Sequence, residues 1–162
     1  MTALSADAQT ACRRAQLIGA ALVSTIVVWV YVLRVVAARH APFIGFAPSV
    51  DLRLLRLLFA VLAVVDLAIL RFITRQILAA PQSARVASVA ARLLTLSIVR
   101  LAICEAVVLL GVVLFLLGGR WGDFTGFAVA SLAAFAVTFP RPSQWEDWIR
   151  QLPRRPEISR PV

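Results

Sequence analysis

The chain has 162 residues, one domain's worth of sequence, and is 61% hydrophobic with a mean hydropathy of +0.89. Soluble domains are roughly 45–50% apolar, and a fold of this size has too little interior to hide the excess, so the bilayer is the expected solvent. The net charge of +9 is carried by arginine with no lysine; these arginines flank apolar runs without an aromatic-interleaved stripe, which argues against a nucleic-acid partner and fits anionic lipids at a cytoplasmic face.

Residues 1–15 are small and polar, end near Cys12-Arg13-Arg14, and read as a cytoplasmic N-terminal segment. The first span is expected over 16–38. Basic residues before an apolar run also open a secretory signal, but the core from Leu17 to Leu33 exceeds the roughly 7–15 residues of a signal, so a retained helix is expected. Ala20 with Ser24, and Ala21 with Thr25, have the four-residue spacing that lets another helix approach closely. Trp29 and Tyr31 are placed as interfacial anchors.

Pro42, Gly45 and Pro48 make Arg39 to Val50 a loop, and its Phe43, Ile44 and Phe46 are expected in the membrane interface. His40 is the only histidine. A metal site needs several converging ligands, so His40 reads as a surface group.

The second span is expected over 52–78 and the third over 93–118, its helix beginning somewhere between Ser83 and Leu93. Arg85, Arg92 and Arg100 recur at near-helical spacing, as in a helix that starts in water and enters the membrane partway along. Cys104 reads as a small packing residue. Gly118 to Asp123 is a glycine-rich turn with Trp121 as an anchor, making the third and fourth spans antiparallel neighbours.

The fourth span, 124–139, is short at about 24 Å. It carries a close-packing stripe of Gly126, Ala130, Ala134 and Thr138 and a bulkier one of Phe127, Ser131, Phe135 and Phe139. Pro140 and Pro142 end it. Ser143 and Glu146 have the spacing of a capping box at the head of an amphipathic helix over 143–152. Its Trp145, Trp148, Ile149 and Leu152 share one face, expected to lie on the membrane surface with both tryptophans as anchors. The proline- and arginine-rich tail 153–162 is expected to be disordered.

The expected fold class is therefore all-α: an integral membrane protein with four transmembrane helices in two antiparallel hairpins, plus a short interfacial C-terminal helix. Arg13, Arg14, Arg75, Arg85, Arg92, Arg141, Arg150, Arg154, Arg155 and Arg160 fall on one side, and Arg34, Arg39, Arg53, Arg56 and Arg120 on the other. Arginine excess marks the cytoplasmic side, which puts both termini in the cytoplasm and the protein in a plasma or inner membrane.

Two spans carry charge within their apolar length, Asp66 with Arg71 and Arg100 with Glu105. A charge in a span costs roughly 2.5–3.5 kcal/mol on insertion scales and usually faces a bundle interior. Folding the chain near Arg85 brings Asp66 level with Glu105 and Arg71 level with Arg100. Five residues turn acid and arginine well over 100° apart on one helix, so cross-helix pairs, Asp66 with Arg100 and Glu105 with Arg71, are expected. These four form a candidate intramembrane polar cluster. It serves either to fix helix register, with snorkelling arginines, or to exchange protons or bind a cation.

The run Glu105-Ala106-Val107-Val108-Leu109-Leu110-Gly111-Val112-Val113 resembles the carboxylate helix of the proteolipid rotor-ring subunits of rotary ATPases. That resemblance implies an ion-carrying role for Glu105. The chain departs from the pattern: the family's carboxylate lies on the second helix of its hairpin, Glu105 precedes the turn at Gly118, and a glycine-repeat partner helix is missing.

No P-loop, G-x-S-x-G, H-E-x-x-H or dinucleotide fingerprint occurs. A non-enzymatic role is expected, with no catalytic, cofactor or metal residue assigned. The expected function is that of a structural or accessory component in a homo-oligomer or larger membrane complex. The alternative is proton or ion translocation through Asp66 and Glu105.

Overall fold

The computed structural model describes residues 6–47, 49–79 and 89–151. The expected tail 153–162 lies outside them, as does the connection between the second and third spans. Among the described residues five helices follow in order: α1 (Ala6–Arg39), α2 (Leu52–Ala79), α3 (Val89–Gly118), α4 (Trp121–Thr138) and α5 (Pro142–Gln151). The first four are long and apolar enough to cross a membrane, and the all-α architecture is as expected.

α3 is the hub. It packs against α4, α1 and α2, whereas α2 makes its main packing against α3. The reason lies in the sequence: α3 is apolar around its whole circumference, the pattern of a helix enclosed by others. Ile26 and Leu33 of α1, Leu101, Val108 and Phe115 of α3, and Phe124 and Phe135 of α4 form one buried cluster. Most large apolar side chains of α2, such as Leu54 and Val64, are exposed, as suits a helix facing lipid.

Several boundaries differ from expectation, each for a packing reason. α1 begins at Ala6, so the described part of the N-terminal segment is helical. Ala8, Ala11, Cys12 and Ala15 recur at i, i+3, i+4 and i+7 and are buried; the last three pack in a second cluster with Leu93, Leu96, Trp145 and Trp148. α4 begins at Trp121, three residues early, and Asp123 stands in its first turn.

α5 begins at Pro142, where a missing N–H is harmless and the fixed φ suits a first helical turn. The Trp145 N–H donates to the Arg141 carbonyl, so Ser143 falls inside the helix and the expected capping box is displaced. Nor do the tryptophans of α5 anchor it on the membrane surface: Trp145 is fully buried and Trp148 nearly so. The helix is amphipathic as read, but its two tryptophans cover protein, whereas Ile149 is exposed and Leu152 lies outside the described residues.

The loop after α1 closes over the end of α3. Phe46 and Ala47 donate their N–H groups to the carbonyls of Leu116 and Leu117, at 2.8 and 3.1 Å. Carbonyls at a helix C-terminus have no intrahelical partner, so this loop satisfies two that would otherwise lie unpaired near the membrane. Gly45 (φ 87°) and Gly119 (φ 67°) permit it, because a Cβ on either would strike the facing backbone. Phe43 packs on Phe115, ring centroids 5.4 Å apart.

Within the chain, the face of α4 turned to the bundle is Phe124, Ala128, Ser131, Phe135 and Thr138. The expected small-residue stripe packs only in its later half. Thr138 is buried and Ala134 partly so, whereas Ala130 is exposed and Gly126 has open space where a Cβ would stand.

Candidate functional site

The four charged residues singled out in the spans are positioned by α2 and α3. On α3, Arg100 and Glu105 are five residues apart, about 140° around the helix, and face different neighbours. Glu105 turns to α1, where the Thr25 hydroxyl donates to its Oε1 at 2.7 Å. The same hydroxyl lies 2.6 Å from the Leu22 carbonyl. One hydroxyl proton serves one acceptor at a time, so Glu105 competes with the α1 backbone for Thr25.

Arg100 turns the other way, toward α5, with its guanidinium 5.1 Å from the ring centre of Trp148. It lines a cleft of about 700 Å³ with Arg71 and Arg75 of α2, Ala130, Ala134 and Val137 of α4, and Gln144 of α5. Two polar atoms among these residues, Arg100 Nε and Gln144 Oε1, are buried without a hydrogen-bond partner.

On α2 the line of contact with the bundle runs through Leu52, Ala63 and Leu70, all buried. A turn of ~100° per residue sets Asp66 about 45° to one side of that line and Arg71 about 90° to the other. Asp66 is partly buried and Arg71 exposed. The expected pairs, Asp66 with Arg100 and Glu105 with Arg71, do not form. Among the described residues the ion pairs are Arg56–Asp123, Arg150–Glu146 and Arg150–Asp147.

The antiparallel register itself holds. Leu52 fills the space beside Gly118, which by helical rise keeps Asp66 level with Glu105 and Arg71 level with Arg100. The side chains are level but divided between two sides: Arg71 and Arg100 share the cleft, while Glu105 looks to α1 and Asp66 lies on the side of the α2 contact line away from Arg71.

Three polar contacts had no sequence signal. Arg56 at the start of α2 brings Nε to both carboxylate oxygens of Asp123, at 2.9 and 3.0 Å. Between α3 and α4, Ser131 donates to the Cys104 carbonyl at 2.7 Å, and the Cys104 thiol lies 3.2 Å from the Thr138 hydroxyl. Cys104 is a buried free thiol, a packing residue that also ties two helices. Of the expected anchors, Tyr31 is exposed, Trp29 is partly buried, and Trp121 packs at a tilt against Phe115, ring centroids 4.5 Å apart.

The chain matches no family model, no curated protein and no solved structure.

Proposed function

We propose that this chain is a non-enzymatic, multi-pass integral membrane protein that serves as a structural or accessory component of a membrane assembly, joined to its neighbour through the Asp66 flank of α2. One observation carries the reading. Asp66 stands midway along α2, about 7 Å further into the membrane than Arg71 by helical rise, partly buried, on a helix with one main packing neighbour, and has no ion-pair or hydrogen-bond partner among the described residues. An acid at such depth is costly in lipid and calls for a partner. A neighbouring helix that brings a donor to Asp66 supplies one. The arginine excess puts the α5 end of the bundle at the cytoplasmic side of a plasma or inner membrane.

Cross-linking tests this. Leu62 and Ile69 lie on the Asp66 flank and are exposed. Leu62→Cys and Ile69→Cys are expected to give adducts larger than the monomer in native membranes, and Asp66→Leu to suppress them. Monomer alone at both positions would refute the assembly.

The second reading, proton or ion translocation, draws on the same unpaired acid and on Glu105 at the same depth. It predicts flux in liposomes that disappears in the Asp66→Asn/Glu105→Gln variant. Under the assembly reading no carboxylate-dependent flux is expected.

A further inference from the structure

The cleft beside Arg100 is a second feature, independent of Asp66 and of any partner at α2. Among the described residues its charged side chains, Arg71, Arg75 and Arg100, are all cations, and no carboxylate lines it. We infer that the cleft between α2, α4 and α5 seats the phosphate headgroup of an anionic glycerophospholipid, with one acyl chain lying along the α2–α4 wall.

Charge complementarity names the class of ligand. The buried Nε of Arg100 has no acceptor, and a guanidinium offers its N–H groups in the fork that phosphate oxygens match. Stacking over Trp148 holds that fork in place. Arg71 and Arg75, one turn apart on α2, bring two more positive charges to the opposite wall. The buried Gln144 Oε1 lacks a donor, which a hydroxyl of a glycerol headgroup provides. Phosphatidylglycerol therefore satisfies both orphaned atoms.

Depth and shape argue for a lipid over a dissolved anion. Thr138, the last residue of α4, contacts Cys104, one turn along α3 from Arg100. Arg100 thus lies one turn, about 6 Å, beyond the end of the α4 span, at headgroup depth. Further into the membrane the walls turn apolar and small. Leu67 lies about 6 Å deeper than Arg71 and Ala130 about 12 Å deeper than Thr138 by helical rise. The stripe then continues to Gly126, which has nothing within 4 Å of where a Cβ would stand. This trough runs along the helices, as an acyl chain does.

The test is a titration of the full chain in a neutral detergent, read by native mass spectrometry. Phosphatidylglycerol is expected to bind more tightly than phosphatidylcholine. Arg71→Gln/Arg75→Gln and Arg100→Gln are each expected to weaken phosphatidylglycerol binding roughly tenfold or more. Arg34→Gln/Arg39→Gln, at the opposite end of the bundle, is expected to bind as the unaltered chain does. Should Arg100→Gln fail to fold, the α2 pair decides, since both its side chains are exposed. Equal binding of the two lipids, or equal loss in the Arg34/Arg39 variant, overturns the site. Displacement of phosphatidylglycerol by inorganic phosphate at similar concentration also overturns it, because the occupant would then be a free anion.

Discussion

Asp123 occupies the first turn of α4, where backbone N–H groups lack intrahelical acceptors and negative charge is favoured by the helix dipole. Arg56 meets it from the first turns of α2, with side-chain exposures of 28% and 16%, so this pair is screened less than a surface one. Arg56→Ala is expected to cost about 1–3 kcal/mol, because the carboxylate is left mostly buried without its donor. A double-mutant cycle with Asp123→Ala, followed by thermal unfolding in detergent, should give a coupling of about 0.5–3 kcal/mol. A coupling near zero would mean that the contact contributes nothing to holding α2 on α4. The sequence shows Arg56 only as a loop-flanking charge and Asp123 only as a turn residue. They are 67 positions apart, and no local pattern says that they meet. The same holds for Thr25, legible as a small residue for close packing but not as the partner of Glu105. Hydropathy fixes the depth of a side chain, whereas its direction around the helix depends on which neighbours are present.

At the scale of elements, the four spans were legible because long apolar runs broken by Pro and Gly have few other meanings in a chain this hydrophobic. The identity of what each amphipathic face covers was not. α5 shows the difference: Trp145 and Trp148 on one face fit a lipid surface and a protein surface equally well by periodicity. What decides is the run of small residues on α1, Ala8, Ala11, Cys12 and Ala15, which leaves room for two indoles. That run also explains why α1 starts before its apolar core, since its first turns gain burial from α5. Trp145→Ala should then cost about 3–5 kcal/mol, the range for emptying a large buried aromatic site. It should also loosen the start of α1, read as faster proteolytic cleavage within residues 6–15. A surface-lying α5 predicts neither effect, so unchanged melting and unchanged cleavage would restore the interfacial reading.

Across the whole molecule, the bundle depends on how closely α4 can approach α3. Gly111 sits at that crossing: a Cβ there would lie 2.7 Å from the Phe127 Cβ and 3.2 Å from the Phe124 carbonyl oxygen. Backbone this close cannot yield the way a flexible side chain can, so even Gly111→Ala must push the two helices apart. In the sequence Gly111 appears within a run resembling a carboxylate-bearing rotor helix, yet in the fold it serves packing between two helices of one chain. The consequence can be read at a distance. Cys104 lies about two turns away and is fully buried, with Ser131 and Thr138 of α4 across from it. Gly111→Leu is expected to lower the melting temperature and to expose the Cys104 thiol to a maleimide that leaves it untouched in the unaltered chain. Gly126→Leu, in the middle of the same helix pair but facing open space, is the matched control and should leave Cys104 protected. If Cys104 stayed protected in both variants with melting unchanged, α3 and α4 would not be in the close contact on which the hub position of α3 depends.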